Sequence, residues 1–171
     1  MNQKEKEEQF SNIYRDYKHK IYRICYAYIY EKNEVDDLFQ EIMANIWNSL
    51  HTYRGDAQLG TWVYRVAVNS ALFYNRKFKY YSSNKAEVRQ LVISQVVEAT
   101  EGISDSNQML DKLARSVSQL DKQDRVIISL LLEGLTYENI AEVVGITSNY
   151  VGVKVNRIKK QLKTLLENET N

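Results

Sequence analysis

Apolar residues recur at three- and four-residue spacing along most of the 171-residue chain, a pattern that predicts helices throughout. Phe10, Ile13, Tyr14, Tyr17, Ile21, Ile24 and Tyr28 trace the buried stripe of a first helix over about 7–30. Val35, Leu38, Phe39, Ile42, Met43, Ile46, Trp47 and Leu50 do the same for a second, for which Asn33 is the expected N-cap. A polar loop follows over 51–60. Thr61 is then expected to cap a third helix reaching about residue 80, with Trp62, Val63, Val66, Ala67, Ser70 and Tyr74 on its inner side. The periodicity weakens over 82–107, where Ser82-Ser83-Asn84 and the run 101–107 carry loop-forming residues. Helices resume over 108–119 and 122–132, the latter capped by Asp121. The expected fold is all-α: two small helical domains, 1–81 and 108–171, joined by a flexible linker over 82–107. Such a linker permits several domain orientations.

The last part of the chain carries the pattern most informative about function. Leu135-Thr136-Tyr137-Glu138-Asn139-Ile140-Ala141 opens a helix in which Thr136 is placed to cap and Leu135 to pack on Ile140 as a hydrophobic staple. Gly145 breaks the pattern after Val144, where a tight turn needs positive φ. Another helix begins there, capped by Thr147 or Ser148, with Val151, Val155, Ile158 and Leu162 as its apolar stripe. Asn149, Val153, Asn156, Arg157 and Lys160 fall on the opposite face, and Lys154 and Lys159 on its flanks. From 147 to 166 there are five basic residues, Lys154, Arg157, Lys159, Lys160 and Lys163, and no acid. A short helix, a glycine turn and a longer helix with one basic face form a helix-turn-helix pattern. The expected C-terminal domain is therefore a four-helix helix-turn-helix domain whose last helix enters a DNA major groove.

Composition narrows the class. Six glycines and no proline argue against a sheet-rich chain, and 44% hydrophobic with 26% charged residues is ordinary globular composition. The formal net charge is only +1, yet residues 61–81 hold Arg65, Arg76, Lys77 and Lys79 without an acid. Two basic, acid-free segments far apart in sequence predict two nucleic-acid contacts. The single Cys25 lies on an apolar helix face and is expected to pack in the core. The charged start and the lack of any long apolar run predict a cytoplasmic chain with no membrane insertion. No Ser/His/Asp set, metal-ligand cluster around His19 or His51, or Gly-rich phosphate loop is present, so no catalytic residue, metal or cofactor is expected.

With the acidic run Asp36-Asp37-Leu38-Phe39-Gln40-Glu41, the stretch from Tyr53 to Asn69 and the helix-turn-helix following in that order, the chain resembles the small two-domain bacterial sigma factors of the extracytoplasmic-function (ECF) group. Asp36-Asp37-Leu38-Phe39-Gln40-Glu41 is similar to the acidic signature of sigma region two. Tyr53-Arg54-Gly55-Asp56, followed by Thr61-Trp62-Val63-Tyr64-Arg65-Val66-Ala67 and Asn69, resembles the stretch ending Trp-Leu-x-x-Ile-Ala-x-Asn. The span 120–163 is similar to region four. The resemblance implies core RNA polymerase and promoter DNA as partners, and commonly an anti-sigma factor, often membrane-bound. Asp36, Asp37, Gln40, Glu41 and Asn45 would then meet a coiled coil of the largest polymerase subunit. Tyr53, Arg54, Asp56, Gln58, Arg65, Asn69, Asn75, Arg76, Lys77 and Lys79 would bind the −10 element, the loop holding extruded bases and the helix supplying backbone contacts. Trp62 suits the core better than base stacking. Thr147, Ser148, Asn149, Tyr150, Gly152, Val153, Lys154, Asn156, Arg157 and Lys160 would face the −35 element. Val68, Phe73, Tyr150 and Gly152 depart from the family pattern at positions that bear on promoter sequence. The alternative is a helix-turn-helix repressor or activator acting on duplex operators without polymerase. Such a protein needs neither the acidic helix nor the stretch 53–69.

Overall fold

The computed structural model describes residues 2–29, 32–79, 112–113 and 115–168, with the side chains of 32, 75–79 and 168 outside that description. No strand occurs among the described residues. The N-terminal part consists of α1 (Gln3–Tyr28), α2 (Lys32–Ser49), a 3₁₀ turn (Leu50–Thr52) and α3 (Leu59–Lys79). The predicted linker over 82–107 lies outside the described residues. Beyond it, 112–113 and 115–118 are helical and lead into α4 (Lys122–Leu132), α5 (Tyr137–Val144) and α6 (Ser148–Asn168).

Several helix starts differ from the sequence expectation. α1 begins a turn early because Asn2 and Glu5 form a capping box: the Asn2 side chain accepts from the Glu5 amide at 2.8 Å, and the Glu5 carboxylate accepts from the Asn2 amide at 2.9 Å. Asn33 is no cap, since α2 already runs from Lys32. Thr61 is no cap either. α3 starts at Leu59, which packs against the core, and the Trp62 amide donates to the Gln58 carbonyl at 3.1 Å. A cap-competent residue loses its role when a neighbouring apolar side chain draws the preceding residues into the helix. Asp121 does cap α4, its side chain accepting from the Asp124 amide at 2.8 Å.

α1, α2 and α3 bury Ile13, Ile21, Ile24, Leu38, Ile42, Ile46, Val63 and Ala67 between them. Aromatic rings close the gaps at the margins. Tyr22 stacks on Phe39 at 4.0 Å, Phe10 meets Trp47 edge-on at 5.2 Å, and Tyr17 meets Tyr64 edge-on at 5.9 Å. Burial pushes the Cys25 thiol up to about 12, so it stays protonated at neutral pH and packs as a small apolar group.

The two groups of helices dock on one another, an arrangement the sequence left open. α4 lies on α1, and α5 lies on α3. Arg125 of α4 is buried at this junction. Its Nε donates to the Ala27 carbonyl of α1 at 2.9 Å, and its Nη1 to the Leu120 carbonyl at 2.7 Å. Carbonyls in the last turn of a helix lack intrahelical partners and carry the negative end of the dipole, so a guanidinium there is favourable. Arg23–Glu133 and Arg65–Glu142 pair across the same junction nearer solvent.

Candidate functional site

The helix-turn-helix is built from local signals. Thr136 Oγ1 accepts from the Asn139 amide at 3.3 Å, and Leu135 packs against the core as the staple requires. α5 ends at Gly145, with φ of 73°, and both the Gly145 and Ile146 amides donate to the Ala141 carbonyl. A Cβ at Gly145 would meet nothing within 4 Å, so the turn's demand is conformational alone. Gly145→Ala is expected to cost about 1–2 kcal/mol, and Gly145→Asn less. Urea unfolding would check this; a neutral alanine variant would show that the turn tolerates another geometry.

Thr147 rather than Ser148 caps α6, its hydroxyl accepting from the Tyr150 amide at 3.3 Å. Val151, Val155, Ile158 and Leu162 are buried. Thr147, Asn149, Tyr150, Val153, Asn156, Arg157 and Lys160 are exposed along one side, while Ser148 is half-buried. Gly152 is also half-buried, and a Cβ there would lie 3.5 Å from the Tyr137 ring. Its place is the packing of α6 against the start of α5 rather than the open face.

Lys154 does not belong to the DNA face. It is buried, and its ammonium donates to Asp124 Oδ1 at 2.7 Å. Asp124 is itself only 2% exposed, and its other oxygen accepts from Arg157 at 2.5 Å. Burial pushes the Asp124 carboxyl up, but the hydrogen bonds and charges of Lys154 and Arg157 outweigh it and hold the group below the ordinary carboxylate range. One helix-face lysine is thus an internal tie between α4 and α6. Arg157 divides its reach, with its stem at the surface and its head on Asp124. Asp124 and Arg125 are the principal polar residues that sequence reasoning missed. They stand together in the first turn of α4, and the sequence around them does not show the distant groups they meet.

On the other domain, Arg54, Asp56 and Gln58 stand exposed in the loop between the 3₁₀ turn and α3. Tyr53 is half-buried. Its ring lies 5.4 Å from that of Trp62, and its hydroxyl donates to the Ala57 carbonyl at 3.0 Å. These contacts help to hold the loop in shape. Trp62 is buried beneath it, as core. Along α3, Asn69 is exposed, and Arg65 reaches Glu142 of α5 at 2.7 Å. Asn75, Arg76, Lys77 and Lys79 fall in the last turns of α3, with their side chains outside the described residues.

The acidic rim sits on α2. Asp37 and Gln40 are exposed and Glu41 is half-buried. Asp36 accepts from the Tyr22 hydroxyl at 3.2 Å. Asn45 is not part of an open rim: its amide donates to Ser70 Oγ at 3.0 Å, tying α2 to α3. The Tyr74 hydroxyl is pushed up by burial and then by the charges of Asp37, Glu34 and Glu41.

Two family models match the chain in order: Sigma-70 region 2 over residues 13–79 and Sigma-70, region 4 over residues 110–162. The chain is 26% identical to the ECF RNA polymerase sigma factor SigX of Bacillus subtilis (strain 168), over 94% of this chain and 85% of the relative. It is also 26% identical to the ECF RNA polymerase sigma factor SigW of the same organism, over 93% and 91%. A solved structure of the sigma factor RpoE in complex with the anti-sigma factor NepR, from Bartonella quintana, superposes with a TM-score of 0.68 at 18% identity, covering 93% of this chain and 97% of that one.

Proposed function

The chain belongs to the ECF sigma factors, promoter-specificity subunits of bacterial RNA polymerase, and on that premise we propose which residues meet polymerase and which meet each promoter element. The observation that carries the assignment is the outward face of α6, where Asn149 and Val153, with Tyr150 beside them and Asn156 one step further on, follow a capped N-terminus. Short and amide side chains in the first two turns of such a helix suit base edges of the −35 element. Lys160, further along, suits phosphate. Arg54, Asp56, Gln58, Arg65 and Asn69, with the basic end of α3, form the −10 surface. Asp37, Gln40 and Glu41, flanked by Asp36, form a polymerase-docking rim, where carboxylates on a rigid helix steer and register a basic partner. The N-terminal domain is thus 1–81 and the C-terminal one 108–171. The chain recognises and helps melt promoters and carries no catalytic group of its own. The similar RpoE was solved in complex with an anti-sigma factor, and we propose a partner of that kind for this chain. No described helix is long and apolar enough to cross a membrane, which suits action at cytoplasmic polymerase. A stand-alone duplex-binding repressor does not account for the region 2 match.

Run-off transcription with core polymerase and fragmented genomic DNA of the source organism tests this. New, discrete start sites are expected only with the protein present, and their upstream sequences define both elements. Asn156→Ala should weaken −35 binding by about 1–3 kcal/mol and relax one base position, whereas Lys160→Ala should weaken all sequences alike and reduce the salt slope by about one unit. Equal salt slopes for both variants and the parent would remove Lys160 from the phosphate contact.

A further inference from the structure

One exposed face of α3 does not match an ordinary solvated helix. Arg65, Asn69, Leu72 and Phe73 share it at helical spacing, and Arg76 continues the register one turn on. Phe73 is 69% exposed and Leu72 43%. A phenylalanine this open gains almost nothing from folding, so its place on the surface calls for something outside the domain to cover it. Electrostatics say what kind. Residues 61–81 contain four basic residues and no acid, so this stretch of the chain favours a polyanion as its partner. An aromatic ring among cations on a rigid helix is the arrangement that holds single-stranded nucleic acid: the charges track the backbone while the ring takes a base face.

We propose that Phe73 is the stacking platform for one unpaired base of the promoter's melted −10 strand, with Leu72 as the apolar shoulder beside it. The proposal rests on the reading that the outer face of α3 meets the −10 element. It goes beyond that reading by adding a base-stacking residue about 6 Å along the helix from Asn69. It also supplies a more open aromatic surface than half-buried Tyr53, whose ring packs beside Trp62 and whose hydroxyl donates to the Ala57 carbonyl.

The test uses the full-length protein assembled with core polymerase, on a fork-junction DNA built from a promoter found by run-off transcription. 2-Aminopurine is placed in turn at each unpaired −10 position. Phe73→Ala is expected to weaken fork-junction binding about ten-fold and to abolish fluorescence quenching at one position. Phe73→Trp should restore both, and binding of polymerase without DNA should not change. Asn69→Ala serves as the control for the underlying reading. If Asn69→Ala weakens the fork junction while Phe73→Ala does not, the stacking proposal fails and the −10 surface stands. If neither variant has any effect, the α3 face is not the −10 surface and both readings fall. Loss of polymerase binding in Phe73→Ala would instead mark the ring as a protein contact and overturn the proposal.

Discussion

Replacing Asp124 with alanine is expected to destabilise the helix-turn-helix domain by about 3–5 kcal/mol, the usual effect of removing one partner from a buried ion pair. The carboxylate takes a hydrogen bond from Lys154 on one oxygen and from Arg157 on the other, and Lys154 is only 6% exposed. Without Asp124 an ammonium remains buried with its counter-charge gone, and its desolvation penalty is uncompensated. The size of the effect comes from that stranded charge, not from the worth of the pair. A double variant, Asp124→Leu with Lys154→Met, should therefore recover most of the loss, since apolar replacements of buried pairs are often neutral. Urea unfolding at neutral pH decides the matter. A double variant as unstable as the single one would mean that shape rather than charge governs the site.

The same carboxylate sets a pH dependence. Its folded-state pKa lies below the ordinary value, so its contribution is complete above an unfolded pKa of about 3.9 and is lost as pH falls through the folded value. Wild-type protein should lose stability steeply below about pH 4, and Asp124→Asn should show a flatter acid limb.

Arg125→Met is expected to loosen the docking of the two domains, at a cost of about 2–4 kcal/mol. The buried guanidinium bonds the carbonyls of Ala27 and Leu120, and methionine keeps the packing volume while leaving both acceptors unmet. The Arg65–Glu142 pair cannot compensate. Arg65 and Glu142 are each about 40% exposed, and pairs of that kind contribute about 0–1 kcal/mol. Small-angle scattering should show a larger radius of gyration for Arg125→Met and little change for Glu142→Gln. The reverse order would place the docking energy in the surface pair. The Glu142 comparison also bears on function, because Arg65 belongs to the proposed −10 surface and is engaged by α5 in the docked arrangement.

Much of this protein is determined by short-range chemistry that one sequence displays. The apolar periodicity of α1, α2, α3 and α6 marks helices because only one face of each can leave water. Asp121, Thr136, Thr147 and Gly145 mark ends because their side chains or backbone freedom satisfy orphan amides and carbonyls within a few residues. That suffices for an all-α chain with a helix-turn-helix and for the order of its candidate surfaces. Other features depend on partners distant in sequence. Lys154 looked like part of a basic face until Asp124, thirty residues away, drew it inside. Asn45 looked like rim until Ser70 of the next helix took its amide, and Tyr53 looked available until Trp62 and Ala57 engaged it. Arg125 carries no local signal at all, because its acceptor lies on α1, ninety-eight residues back. Local pattern decides which residues leave water. Only the packed fold decides which charged and polar groups follow them, because burying those groups is tolerable only where a distant partner stands ready.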